Sequence, residues 1–165
     1  MQFIDGFLQE TYDGYPEASQ DLCIVTTKDK SAYQHDESDP TPEEARRGVP
    51  AQTQGGGPMK TPSRPPWSME FQSSFLGQSP EEVAGFVSKE LNDTILETKY
   101  CAIIDEKSLQ DRSALLVRVG GHQDEDEPKF VTVRQPFEEV NAALGCYSVG
   151  ELDPEEHLAN GAPSR

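Results

Sequence analysis

The sequence predicts an α/β or α+β fold: a single small mixed sheet of about four strands with two to three helices, interrupted by a long disordered insertion. Three observations predict it. The runs DLCIVTT, CAIID, SALLVRV and FVTV are rich in apolar and β-branched residues and are bounded by turn residues. Helical periodicity follows start signals at Ser79 and Pro136. From Lys28 to about Pro66 the chain offers little apolar side chain to offset the entropy of ordering it.

Within residues 1–20, Phe3, Ile4, Phe7 and Leu8 are spaced by three and four, which predicts a short amphipathic helix ending at Asp13 and Gly14. DLCIVTT, Asp21 to Thr27, has consecutive apolar residues followed by β-branched ones and predicts a first strand buried on both faces. The insertion 28–66 contains TPEEARRG, which could close one helical turn with Thr41 as N-cap, Pro42 at the first position and Gly48 at the end. Trp67, Met69 and Phe71 alternate with polar residues, as on one face of a strand or a docked segment.

The next signal is purely local. Ser79, Pro80 and Glu82 place an N-cap, a proline at the first helical position and a capping-box glutamate before Val83, Phe86, Val87 and Leu91, a buried face running to about Asn92. CAIID (Cys101 to Asp105) and SALLVRV (Ser113 to Val119) are the second and third strands. Their link is too short for a parallel crossover, so they are either antiparallel neighbours or joined through one helical turn containing Leu109. Gly120, Gly121 and QDEDEP then turn the chain into FVTV, and PFEEVNAALG closes with a helix from Pro136 that stops at Gly145. DPEEHLAN predicts a further short helix, and residues 159–165 a frayed tail.

A chain of 165 residues suits one domain, with its ordered core at about 1–27 and 67–158. The net charge of -16 and pI near 4.4 set the surface against phosphate backbones and anionic lipid, so no nucleic acid and no membrane is expected as a partner. A basic protein, a cation or a divalent metal fits that field better, and acidity for solubility alone fits it too. Cys23, Cys101 and Cys146 have no zinc-type spacing, and the first two sit in apolar runs; reduced structural thiols in a cytoplasmic or nuclear setting are expected. The N-terminus lacks the basic and apolar regions of a signal peptide, and no run approaches the ~20 apolar residues of a membrane span.

The sharpest chemical candidates follow the second strand. Asp105 stands at a strand's carboxyl end, where open sheets place ligands, and Glu106 and Asp111 could complete an oxygen shell for Mg²⁺ or Ca²⁺. The competing reading is turn chemistry, in which Asp105 accepts backbone N–H bonds and caps a short helical turn. QDEDEP lacks the glycine and bidentate glutamate of a calcium loop. Asp153 and His157 share the four-residue spacing of metal ligands and of ordinary ion pairs. No hydrolase motif is present, Gly55 to Gly57 opens no helix after a strand, and PSRPPW carries a PxxP of the kind polyproline modules bind.

The order of these elements, with IIDEKSLQDRSALLV as its most characteristic stretch, resembles a small family of bacterial and fungal proteins of unknown function. The resemblance covers residues 20–27 and 67–158 and implies a compact α/β domain without a known activity. The functional expectation is a non-catalytic interaction or accessory protein, with the acidic surface or residues 28–66 meeting a protein partner and no cofactor. The alternative is an accessory enzyme or small-ligand binder of a specialised biosynthetic pathway, with Asp105, Glu106 and His157 or Arg118 around a pocket at the sheet edge.

Overall fold

The fold is seen in a computed structural model, which describes residues 2–16, 22–34, 63, 65–66, 72–94, 96–120 and 130–150. Helix α1 (Gln2–Gly14) is followed by a 3₁₀ turn (Lys30–Tyr33), helix α2 (Pro80–Glu90), strand β1 (Tyr100–Ile103), the single-turn helix α3 (Ser108–Asp111), strands β2 (Ser113–Val119) and β3 (Phe130–Pro136), and helix α4 (Phe137–Val149). The strands form one antiparallel sheet in the order β1-β2-β3.

The class is α/β as expected, with one sheet and helices on both its faces. Strand alternation decides which side chain meets which helix. Ala102 and Leu116, partners in register, turn to the face covered by α1 and α4, where Phe7, Leu8, Phe137, Val140 and Tyr147 complete the main core. Cys101 and Val117, the neighbouring pair, turn to the opposite face and meet Ala84 of α2. The α1–α4 contact is sealed by edge-to-face stacking of Phe7 on Phe137, with ring centroids 4.9 Å apart.

Helix α2 begins as its sequence dictates. Glu82 N–H donates to Ser79 Oγ at 3.2 Å and Ser79 N–H donates to the Glu82 carboxylate at 2.8 Å, so two orphan donors of the first turn are satisfied reciprocally. β2 spans Ser113–Val119, as read from the sequence. β1 and β2 prove to be antiparallel neighbours and also joined through a helical turn, α3, which carries Leu109.

Three corrections follow. Among the described residues the sheet has three strands, all antiparallel, not four and mixed, because residues 22–27 join no ladder. Leu22 and Ile24 pack into the main core while Cys23 and Val25 pack against Tyr33, Val87 and Leu91, which gives the two-sided burial of a strand without strand pairing. Side-chain and isolated backbone groups meet that segment instead: Ile24 N–H donates to Ser63 Oγ at 2.9 Å, Ser63 N–H to the Leu22 carbonyl at 2.7 Å, and Thr26 and Thr27 N–H to the Tyr33 hydroxyl.

The second correction concerns the limits of the insertion placed at 28–66. Tyr33 is fully buried, and Tyr12 Oη donates to the Ser63 carbonyl at 2.7 Å, so both edges of that stretch belong to the packed body. Residues 35–62, including the TPEEARRG turn and Gly55 to Gly57, lie outside the described residues. So do Trp67, Met69 and Phe71, the QDEDEP turn, and the DPEEHLAN helix with the tail beyond it. Third, α4 runs one turn past Gly145 and stops at Gly150, whose φ of 75° is the left-handed cap. Burial of Tyr147 beside Tyr100, centroids 5.8 Å apart, carries the helix through.

Candidate functional site

β1 ends at Ile103, and two residues later Asp105 opens the turn into α3. Ser108 N–H and Oγ–H donate to Asp105 Oδ1 at 2.9 and 3.0 Å, and Asp105 N–H returns a bond to Ser108 Oγ at 3.1 Å. That reciprocal pair three residues apart is the geometry of a capping box, which satisfies backbone donors that the turn would otherwise leave free. Ser108 is fully buried, so the turn is clamped from beneath.

The second grip on Asp105 comes from the far strand. Register places Arg134 of β3 opposite Leu115 of β2 and Leu115 opposite Ile103 of β1, which brings the guanidinium across the sheet to the strand end. Arg134 Nη1 donates to Oδ1 at 3.2 Å and Nη2 forms an ion pair with Oδ2, so the carboxylate is held bidentately. Arg134 Nη1 also donates to Ser113 Oγ at 3.1 Å, and Ser113 Oγ–H donates to Asp111 Oδ1. Partial burial opposes ionisation of Asp105, but the Arg134 and Ser108 hydrogen bonds outweigh it and hold the carboxyl below the ordinary aspartate range.

Asp105 and Asp111 are therefore linked only through Arg134 and Ser113, and Glu106 is exposed to solvent beside them. A metal ion at Asp105 would face a guanidinium already occupying both carboxylate oxygens. Among the described residues no three His, Cys, Asp or Glu side chains gather into a metal-binding group. Arg118 sits at the opposite end of the strands, opposite Tyr100 and on the other face of the sheet, so the structure does not bring it to Asp105. Asp153 and His157 lie outside the described residues.

Two open clefts lie along α1 and α2, and neither is lined by Asp105, Glu106 or Asp111. One, of about 460 Å³, lies along α1 at Asp5, Gly6 and Gln9 beside Pro65 and Pro66. The other, of about 560 Å³, runs along α2 and is bounded by Lys28, Glu81, Phe86 and Glu90 with Val119 and Phe130. At the Asp105 end of the sheet the carboxylate is engaged by Ser108 and Arg134.

Sequence reasoning missed Arg134. Its signal was weak but present: in FVTVRQP the residues Val131, Val133 and Gln135 are buried, and the arginine falls on the alternate face of a strand otherwise ending in the helix. Cys23 and Cys101 form no disulfide, and burial pushes their thiols up to about 11 and about 12. Such groups are poor nucleophiles at neutral pH.

No protein family, no curated protein and no solved structure matches the chain. The geometry alone bears on what it does.

Proposed function

We propose that the chain is a non-catalytic interaction or accessory protein of the cytoplasm whose acidic surface receives a basic protein partner. One observation carries the reading, the excess of exposed carboxylates over exposed cations among the described residues. Arg134 is bound to Asp105, Arg112 to Glu10 and Lys30 to Asp93, while Lys28 and Lys99 lie over aromatic rings and Arg118 is buried. Glu81, Glu90, Glu106, Glu138 and Glu139 are exposed and have no ion pair among the described residues. Lys89 and Lys107 are exposed as well, but these five glutamates outnumber them, so the exposed charge among the described residues is net negative, which favours a positively charged partner and steers its approach.

The same bookkeeping argues against catalysis at Asp105, where the carboxylate's acceptors already have internal donors. Among the described residues, no helix is long and apolar enough to cross a membrane.

The test is capture of partners on the immobilised chain, compared with Glu138→Lys/Glu139→Lys and with a chain lacking residues 36–61, each checked by thermal melting. The expected result is retention of a basic protein at about 50 mM salt and its release at about 500 mM, where screening is within a few ångströms. Weaker retention by one variant with an unchanged melt locates the contact. Retention that ignores salt and both variants overturns the reading.

A further inference from the structure

At the edge of the α2 cleft, where Lys28 and Phe86 line it and Phe75 stands behind Phe86, lies a feature that the excess of exposed carboxylates alone does not explain. Phe75 and Phe86 lie with ring centroids 5.4 Å apart and planes tilted by 60°, and the Lys28 ammonium stands 5.7 Å from one centroid and 5.9 Å from the other. A cation within about 6 Å of a ring face is attracted by its quadrupole, and two rings sharing one ammonium make a two-sided cation seat. Lys28 itself is exposed and lines the cleft with Phe86, Glu81, Glu82 and Glu90. An intramolecular lysine therefore shows which chemistry the seat accepts.

We propose that this cleft is a docking site for a lysine or arginine side chain on a basic peptide segment of the partner, and that Lys28 occupies the seat until that side chain displaces it. The proposal rests on the reading of the acidic surface above and names its contact. Charge complementarity supports the occupant, because three glutamates line the cleft against Lys28 and Lys89, the balance turns more negative once Lys28 leaves, and Glu81 and Glu90 are exposed without an ion pair among the described residues. The volume of about 560 Å³ fits a long side chain and its flanking backbone. Displacement has little structural cost, since Lys28 swings back to solvent on a flexible stem.

Gly85 supplies a block that leaves the fold intact. It lines the cleft from the middle of α2, and a Cβ built there meets nothing within 4 Å. Gly85→Gln therefore fills the cleft while adding a better helix former.

The probe is a fluorescein-labelled octapeptide of alternating lysine and glycine, titrated by anisotropy at about 50 mM salt with wild type, Lys28→Ala, Lys89→Ala and Gly85→Gln. Both lysine variants remove one positive charge from the cleft wall, but only Lys28 covers the rings. The expected result is binding about threefold to fivefold tighter in Lys28→Ala than in Lys89→Ala, and clearly weaker in Gly85→Gln at an unchanged or raised melting temperature. Equal affinities for the two lysine variants, or undiminished binding by Gly85→Gln, overturn the cleft as the seat and leave the acidic surface standing. Absence of peptide binding in every form at low salt removes both.

Discussion

Arg134 holds both oxygens of Asp105 across a separation of 29 positions, tying the last strand of the sheet to the turn that leaves the first. Two charges that read as separate surface features are one structural joint. The joint also carries Ser108 and Ser113: Asp105 Oδ1 accepts from Ser108 and Arg134, and Arg134 Nη1 donates to Asp105 and Ser113.

Removing either partner should loosen the sheet without removing an activity. Asp105→Asn and Arg134→Met are each expected to cost about 1–2 kcal/mol, the lower part of the range for hydrogen bonds to charged groups because both side chains are partly solvated. Urea denaturation of the two single variants and the double variant checks this. The double variant should cost less than the sum, and strict additivity would show that the pair is not coupled.

The joint also makes stability depend on pH in one direction. The folded-state pKa of Asp105 is lowered, so the unfolded chain binds its proton more readily and the contribution is fully present above the unfolded value of about 3.9. It is lost as pH falls through the folded value. The melting-temperature advantage of wild type over Asp105→Asn should therefore be constant from about pH 7 to about pH 5 and shrink below about pH 4. An advantage that grows on acidification would contradict the assignment.

Tyr33 should behave as a core residue although it falls within the run, 28–66, that reads as linker. Its hydroxyl accepts from Thr26 and Thr27 N–H at 3.3 and 3.2 Å and donates to the Thr27 carbonyl at 3.1 Å. Tyr33→Phe strands those buried backbone groups and should cost about 1–3 kcal/mol by thermal or urea unfolding. A neutral outcome would return residues 28–34 to the insertion.

Two glycines should respond with opposite signs. Gly85→Ala faces open space inside a helix and should stabilise by about 0.5–1 kcal/mol. Gly14→Ala drives a Cβ into the Glu138 carbonyl, backbone that cannot swing aside, and should destabilise by more than about 2 kcal/mol as α1 is pushed off α4. Differential scanning calorimetry on both variants reads the sign directly.

The buried thiols give a chemical check. With Cys23 and Cys101 raised to about 11 and about 12, alkylation by iodoacetamide near pH 8 should be slower than in the urea-unfolded chain by about a hundredfold or more at both positions, followed by peptide mass spectrometry. Labelling at the unfolded rate would place these residues in solvent.

How far the sequence reaches depends on the distance over which each feature is decided. The start of α2 was legible because Ser79, Pro80 and Glu82 settle it among themselves, and the Asp105 turn because its partner Ser108 is three residues away. Arg134 was not, since its role arises only once hairpin register aligns it with Ile103 and Leu115. Residues 22–27 misled for a related reason. Burial on alternating sides leaves the same pattern whether the backbone pairs with a strand or, as here, with Ser63 and the Tyr33 hydroxyl. Gly145 misled because a helix stop is a local preference, overridden by the burial of Tyr147.

The stacking of Phe7 on Phe137 also sets a timetable for synthesis. α1 leaves the ribosome with Phe3, Ile4, Phe7 and Leu8 uncovered, and its cover, α4, is the last described element to be made. At 5–20 residues per second the interval is on the order of ten seconds, during which that apolar stripe is open to chaperones and to other nascent chains. Yield in the cell should accordingly be limited by how long α1 waits, a property set by the order of elements along the chain and not by the strength of any contact in the finished fold.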